Sequence, residues 1–200
     1  PKPSSAASDV YKRQVPNSKN HSFIEPQQER SRKRFEAVLK TAEFIYKNQD
    51  DYDLTVQDIA RLSGMKRPSI YKFFPSNESI LEALSYKYSS SLFGLVKKNL
   101  NNLNYSDEKE LIKAVVDVYA IYVNNNYCIS ELVFNVFSKN FLIEEILKLI
   151  EAKSAGETKK IKFSLSILMA CLGDSLSQEK VITPSCVAET KKACLLYLAS

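Results

Sequence analysis

Residues 55–78 read TVQDIARLSGMKRPSIYKFFPSNE, and the rest of the chain can be understood as what positions this stretch. A first short helix starts after Thr55, which can cap it, and Gly64 then provides a tight turn. A second short helix carries basic and hydroxyl side chains around apolar Ile70 and Phe74. Two short helices joined by a glycine-containing turn, with basic and hydroxyl groups on the second, are typical of a DNA-binding helix-turn-helix.

Composition narrows the classes of function. The chain has 200 residues, 44% hydrophobic and 26% charged, as in an ordinary globular protein. Its four glycines lie far apart, whereas a phosphate-cradling loop needs clustered glycines. His21 is the only histidine, so no Ser-His-Asp, Cys-His or multi-histidine constellation can be assembled. We therefore expect a protein that is not an enzyme and that holds no metal and no cofactor.

Helical periodicity extends along most of the chain. Apolar residues recur at helical spacing, and the few glycines leave long uninterrupted segments. The pattern predicts an all-α fold of about nine helices, with Pro68 in the first turn of the third helix and Pro75 ending it. The predicted helices cover about 31–48, 55–63, 66–74, 77–103, 106–123, 128–138, 141–152, 158–176 and 184–199, with a loop at 153–157.

Arginine is confined to the first third of the chain. The formal net charge is only +5, but every arginine lies at or before Arg67, and four basic residues cluster at 30–34. The planar, multi-donor guanidinium suits phosphates and guanine edges better than the lysine ammonium does. The distribution therefore favours nucleic-acid contact near the N-terminal end. Chance, together with an AT-rich genome that favours lysine codons, is the alternative explanation.

The first thirty residues are expected to contribute nothing to the fold. The segment SSAASDVYKRQ at 4–14 resembles a translated sequencing-library adaptor, so residues 1–14 are expected to be a non-native scar, or else a native disordered tail. Residues 15–30 are polar and are expected to form a flexible arm with His21 solvated. The four cysteines lack zinc or disulfide-framework spacing and are expected to be small core residues in a reducing cytoplasm. A redox-sensing thiol remains an alternative.

No segment indicates a membrane protein. No apolar run approaches the roughly 18 residues of a membrane span, and no secretory signal is visible. We therefore expect a cytoplasmic protein.

The segment 35–84 resembles the DNA-binding domain of the TetR family of transcriptional regulators. The family's first-helix, second-helix and turn-plus-recognition-helix motifs correspond here to AEFIY, TVQDIA and LSGMKRPSIYKFFPSNESIL, in the same order. The resemblance implies a dimeric, all-helical repressor whose larger C-terminal domain holds a ligand pocket and the dimer interface. We accordingly expect a helix-turn-helix domain at 31–76 and a regulatory and dimerisation domain at 77–200.

The motif positions supply candidate DNA contacts. Lys66 and Arg67 are assigned to base edges or flanking phosphates, and Arg67 is the better candidate for bidentate contact with guanine. The chain departs from the family pattern at Lys66, Pro68 and Asn77, where the family has serine, a small residue and lysine. Asn77 can still donate a hydrogen bond to phosphate but carries no charge. The remaining contacts, mainly to phosphates, are assigned to Thr55, Ser69, Tyr71 and Lys72.

The last two predicted helices indicate how two chains could associate. The helix at 158–176 is apolar on two faces, so it needs two packing partners. Packing within the chain can use one face, and a second subunit can use the other. A homodimer through about 158–176 and 184–199 agrees with the resemblance, and a fully buried central helix of a monomer is the alternative.

An effector site is expected in the C-terminal half. A mixture of tyrosines and apolar groups suits a small hydrophobic or aromatic effector, although such side chains more often pack in a core. The predicted function is a ligand-released repressor on a near-palindromic operator. The alternative is a DNA-bound adaptor whose C-terminal domain binds a protein. The candidate pocket residues are Tyr88, Leu92, Tyr119, Tyr122, Phe134, Phe137 and Cys171.

Overall fold

The computed structural model describes residues 21–48, 54–102, 108–149 and 155–200, and these residues form helices joined by short turns. This confirms the predicted all-α fold. The α-helices are α1 (Glu29–Asn48), α2 (Val56–Ser63), α3 (Arg67–Tyr71), α4 (Asn77–Asn102), α5 (Glu108–Asn125), α6 (Ser130–Phe134), α7 (Val136–Leu149), α8 (Ala155–Glu179) and α9 (Pro184–Ala199), with a 3-10 turn at Tyr127–Ile129 before α6.

The turn between α2 and α3 forms as the sequence predicts. Thr55 caps α2, because its hydroxyl oxygen accepts a hydrogen bond from the Asp58 backbone N–H at 3.2 Å. Gly64 ends α2 with a φ of 68°, in the left-handed region that glycine adopts without steric cost. The cap and the turn together fix where α3 leaves α2.

Buried aromatic and β-branched residues join α1, α2 and α3. Ile59 and Ile70 have no exposed surface, and the rings of Phe35 and Phe74 stack with centroids 4.7 Å apart. Phe73 packs edge-on against Phe35 at 5.9 Å. This small core orients α3 so that one side of the helix points inward and the other faces outward.

Helix α4 belongs to both halves of the molecule. Ser76 caps it by accepting a hydrogen bond from the Ser79 backbone N–H, and its 26 residues run from the helix-turn-helix into the C-terminal half. Tyr86 and Phe93 of α4 both pack against Phe141 of α7. The buried side chains of the two halves form one continuous cluster along this helix.

The C-terminal pair α8 and α9 makes the most extensive helix–helix contact among the described residues. Thr183 caps α9, with Pro184 in the first turn, as predicted. One of the two apolar faces of α8 is buried from Ile161 to Leu176. Its opposite side is less covered: Phe163 is 48% exposed and packs only partly, against Tyr197 of α9.

The prediction of a flexible, solvated arm is wrong for residues 21–28. Phe23 is buried, and its ring lies among those of His21, Phe35 and Tyr86. The Ile24 N–H donates to the Phe73 carbonyl at 2.8 Å. One aromatic side chain in a polar segment is enough to dock it, because burying a phenylalanine stabilises by about 1.5–3 kcal/mol. We call residues 21–28 the N-terminal strap.

His21 is correspondingly not solvated. Its Nδ1 lies 3.2 Å from the Glu82 carboxylate, which also accepts hydrogen bonds from the backbone N–H and the hydroxyl of Ser22. Glu82 is only 5% exposed. A buried carboxylate needs such donors, so the strap supplies what α4 lacks at this position.

The boundary between the sixth and seventh helices also differs from the prediction of helices at 128–138 and 141–152. The break falls at Asn135, whose backbone is extended. Its Oδ1 accepts from the Ser138 N–H at 2.9 Å, and its Nδ2 donates to the Ser85 hydroxyl of α4 at 2.6 Å. An asparagine that caps the following helix overrides the apolar periodicity that runs through it.

The structure corrects two smaller expectations. Helix α8 begins at Ala155, so the loop predicted at 153–157 is helical over 155–157. Cys128 is exposed, contrary to the expectation that every cysteine is a core residue, whereas Cys194 is buried. The expectations for residues 1–20, 49–53, 103–107 and 150–154 lie outside the described residues.

Candidate nucleic-acid interface

Helix α3 presents a cationic surface because its opposite side is anchored. Ile70 is fully buried against the three-helix core, whereas Lys66, Arg67, Tyr71 and Lys72 are exposed. Pro68 lies in the first turn of α3. The structure therefore brings four of the seven predicted DNA contacts together on one outward-facing patch, which we call the α3 patch.

The cations of the α3 patch are available to an external anion. Among the described residues, no carboxylate forms an ion pair with Lys66, Arg67 or Lys72. Arg61 of α2, by contrast, is held by Asp58 at 3.1 Å. An arginine without an internal partner keeps its full set of guanidinium donors for phosphate or base edges.

Two further predicted DNA contacts are hydroxyl side chains. Ser69 is partly exposed on α3. The Thr55 hydroxyl is already engaged, since it caps α2 and also donates to the Asp58 carboxylate. A phosphate contact from Thr55 would have to replace the bond to that carboxylate, so Thr55 serves first as a cap.

Asn77 has a structural role that the sequence did not indicate. Its Oδ1 accepts a hydrogen bond from the Val56 backbone N–H at 3.0 Å. This joins the first residue of α4 to the first residue of α2 and satisfies a donor that α2 itself cannot pair. The Nδ2 group of the same side chain can still donate a hydrogen bond to a phosphate. A side chain 21 positions away in sequence could not be identified as this cap from local motifs.

The basic cluster at the start of α1 is exposed. Arg30, Arg32, Lys33 and Arg34 all have accessible side chains. Lys33 is paired only loosely, with Glu29 at 3.8 Å. These side chains can add a peripheral, sequence-independent attraction for phosphates.

A charged cluster ties α1 to α4. Lys47 and Lys87 contact the Glu43 carboxylate at 2.7 Å and 2.5 Å. Burial by itself would raise the pKa of Glu43, but the hydrogen bonds from these two lysines outweigh it and lower the pKa to about 2. Both ammonium groups also lie within 6 Å of the Tyr88 ring, at 5.8 Å and 5.4 Å. This cluster fixes the helix-turn-helix to the start of the C-terminal half.

The predicted effector-pocket residues mostly pack within the core. Tyr119 is 1% exposed and its hydroxyl donates to the Val133 carbonyl, and burial raises its pKa well above the ordinary value. The Tyr122 hydroxyl donates to the Tyr88 carbonyl at 3.1 Å. Leu92 is fully buried. The rings of Phe134 and Tyr119 pack with their centroids 5.2 Å apart. Cys171 is partly buried beside Cys186. The side chain of Phe137 lies outside the described residues.

A surface groove between α4 and α5 lies elsewhere. Its volume is about 420 Å³, and of the seven candidates only Tyr122 lines it. Sequence reasoning missed this groove because several of its residues, including Lys98 and Asn125, are polar and exposed and therefore carry no pattern.

The described ranges contain neither a membrane-spanning helix nor a cluster of metal-binding side chains. None of their helices combines the length and the apolar character needed to cross a membrane. The same part of the chain holds no group of three or more histidine, cysteine, aspartate or glutamate side chains arranged to hold a metal ion.

Comparison with known proteins shows that the helix-turn-helix is similar to that of one family. Residues 48–84 match the family described as bacterial regulatory proteins, tetR family. The HTH-type transcriptional regulator EthR of Mycobacterium tuberculosis (strain H37Rv) is 40% identical over 48 residues, which are 24% of this chain and 22% of that protein. EthR of Mycobacterium bovis matches to the same extent. The chain therefore spans well under two thirds of these relatives.

Solved structures extend the likeness over most of the chain. The structure of a TetR-family transcriptional regulator from Streptomyces coelicolor matches with a TM-score of 0.68 at 14% identity. The match covers 83% of this chain and 98% of that chain. The structure of a transcriptional regulator from Cytophaga hutchinsonii ATCC 33406 matches with a TM-score of 0.54 at 20% identity. That match covers 83% of this chain and 95% of the regulator's chain. At these identities the likeness shows the fold. The resemblance stated from the motifs is confirmed.

Proposed function

We propose that this chain, which carries a TetR-family helix-turn-helix and has the fold of TetR-family regulators, is a DNA-binding transcriptional regulator. The observation that carries the proposal is the α3 patch. Ile70 is buried behind it, and Lys66, Arg67 and Lys72 extend outward without internal carboxylate partners among the described residues. That arrangement suits insertion into the major groove, where a recognition helix contacts base edges.

The candidate DNA contacts have different proposed roles. Arg67, in the first turn of α3, reads a guanine by bidentate hydrogen bonds. Lys66 contacts a neighbouring base edge or phosphate. Tyr71, Lys72 and Ser69 contact phosphates, and these bonds set the register of the protein on the duplex. Asn77 acts mainly through the cap it gives to α2.

The regulator is proposed to act as a homodimer. A single α3 reads too few base pairs, whereas two copies related by a two-fold axis read a near-palindrome. The outer side of the α8–α9 pair supports this proposal. Phe163 and Leu196 are 48% and 65% exposed there, and a second copy of the same helix pair would cover them as a four-helix bundle.

Repression would follow from occupying a promoter, and release would follow from a ligand that favours a different C-terminal conformation. Helix α4 is suited to carry such a change, since it starts at the α2 cap and continues into the C-terminal half. We expect this regulator to act in the cytoplasm, where bacterial DNA is accessible.

The proposal is tested by selecting bound DNA from a library of random duplexes with the full chain. We expect enrichment of a near-palindrome whose half-sites are one helical turn apart or a multiple of it, about 10 base pairs or more. A variant with both Arg67→Ala and Lys72→Ala serves as the control and should enrich nothing. If the wild type enriches no sequence above that control, the proposal is wrong.

A further inference from the structure

We propose that the groove between α4 and α5 binds an amphipathic carboxylate, an unbranched apolar chain ending in one carboxyl group, and that this is the effector of the proposed regulator. The inference rests on the proposed function for its regulatory part only. The groove's volume of about 420 Å³ lies within the roughly 300–1,000 Å³ typical of small-molecule sites.

The apolar part of the groove would hold the chain of the ligand. Leu95 of α4 and Val118 and Ile121 of α5 line it. Leu95 is 46% exposed and Ile121 62% exposed. Covering these side chains removes apolar surface from water, which is the favourable term for binding a hydrocarbon chain. A flexible ten-carbon chain fits the groove's volume of about 420 Å³.

The polar end of the groove selects for an anion. Lys98 lines it, and no carboxylate among the described residues pairs with this ammonium group. The side-chain amides of Asn99 and Asn125 also line the groove and can donate to a carboxylate oxygen. The lining includes no acidic side chain. A carboxylate is therefore favoured over a neutral headgroup, and an amine is disfavoured.

The groove is connected to the helix-turn-helix by continuous contacts. Tyr122 lines the groove and donates its hydroxyl to the Tyr88 carbonyl on α4. The Tyr88 ring lies beneath the ammonium groups of Lys47 and Lys87, which both hold Glu43 of α1. A ligand that separates α4 from α5 would disturb this chain of contacts and so the placement of α1 and α3.

Binding is tested by calorimetry on the full chain with sodium decanoate, and with decan-1-ol and decylamine as ligands of matched length. We expect decanoate to bind about fivefold more tightly than decanol at low ionic strength, because an exposed ion pair adds only a modest term. Decylamine should bind more weakly than decanol. Equal affinity for decanoate and decanol, or no binding of decanoate, would overturn the site.

Variants assign the binding to the groove. Lys98→Met keeps the apolar stem and should reduce decanoate affinity about fivefold without changing decanol affinity. Lys97→Met removes a charge from the neighbouring exposed position of α4, outside the groove lining, and should leave both affinities unchanged. Ile121→Asp should abolish binding, with circular dichroism confirming an unchanged helical fold. Decanoate affinity that is the same in Lys98→Met and the wild type contradicts the proposal.

The regulatory role has a separate readout. Saturating decanoate should raise the dissociation constant for the selected duplex about tenfold or more. Lys87→Met, outside the groove lining, should keep decanoate affinity within about twofold and reduce that effect, since it removes the contact between α4 and Glu43 of α1. If decanoate binds but the DNA affinity is unchanged, the effector role is wrong. If the wild type binds no DNA, the proposed function fails. Calorimetry still tests whether the groove binds decanoate.

Discussion

At the scale of single residues, Glu43 is the clearest link between the two halves of the chain. Its carboxylate on α1 accepts from Lys47 of the same helix and from Lys87 of α4. An ion pair within one helix contributes a few tenths of a kcal/mol. The second lysine, on another helix, converts the pair into a contact that also positions the helix-turn-helix.

Glu43 should make stability depend on pH in the acid range. Its pKa is lowered from 4.5 to about 2, so its contribution is complete above pH 4.5 and is lost as pH falls towards 2. We expect Glu43→Gln to lose roughly 1–3 kcal/mol of the unfolding free energy at neutral pH and to show a correspondingly smaller loss on acidification. Urea unfolding at several pH values measures this. Glu29→Gln, at a 70% exposed carboxylate of the same helix, is the control and should behave as the wild type.

Substitutions can separate the two roles of Asn77, the cap that it gives to α2 and its proposed place beside DNA. Asn77→Ala removes the acceptor for the Val56 N–H and should destabilise the fold by about 1 kcal/mol, as expected for a lost cap. Asn77→Asp keeps the acceptor oxygen and should retain stability, while its negative charge weakens DNA binding. Thermal unfolding and DNA titration of both variants measure the two effects. An Asn77→Ala protein as stable as the wild type would mean that the cap contributes nothing.

At the scale of elements, the N-terminal strap is held by one large anchor. Phe23 is 5% exposed, whereas its neighbour Ile24 is 59% exposed. Phe23→Ala should therefore lower the unfolding free energy by about 3 kcal/mol, in the range for buried phenylalanine, and Ile24→Ala should change it by less than about 0.5 kcal/mol. Chemical denaturation of the two variants makes the comparison. If both substitutions change the unfolding free energy by the same small amount, the segment is the flexible arm that the sequence predicted.

The elements show where sequence reasoning succeeds and where it cannot. Caps and turns such as Thr55, Gly64 and Thr183 were predictable, because their partners lie within three residues. The strap and the break at Asn135 were not. Phe23 docks in part on Tyr86 of α4, which is far away in the chain, and Asn135 is fixed in part by Ser85, 50 positions earlier. Partners at such separations leave no local pattern in one sequence.

The candidate DNA-binding site and the groove also differ in how far the sequence could predict them. The outward side of α3 followed from helical spacing, since buried Ile70 fixes which residues face outward. The role of Asn77 and the α4–α5 groove depend on contacts between helices. The candidate pocket residues were chosen because they are aromatic or apolar, and that property equally predicts the buried core in which Tyr119 and Leu92 lie.

At the scale of the whole molecule, the exposed side of α8 and α9 decides whether two chains associate. Leu196→Arg places a charge in the proposed dimer face and should convert the protein to a monomer at micromolar concentration. Phe44→Arg changes a similarly exposed residue on α1 and is the control; the two side chains are 65% and 60% exposed. Sedimentation or light scattering reports the masses. A Leu196→Arg variant that stays dimeric like Phe44→Arg would place the interface elsewhere, and a monomeric wild type would contradict the homodimer.

The central claim is that α3 reads DNA, and the affinity of the selected duplex as a function of salt concentration tests it most directly. We expect Arg67→Ala to weaken binding to that duplex by roughly 1–3 kcal/mol, to relax preference at one position, and to leave scrambled DNA little changed. Lys72→Ala should weaken both duplexes alike and reduce the salt dependence by about one counterion. If the two substitutions weaken selected and scrambled duplexes equally, α3 does not read the sequence in this way.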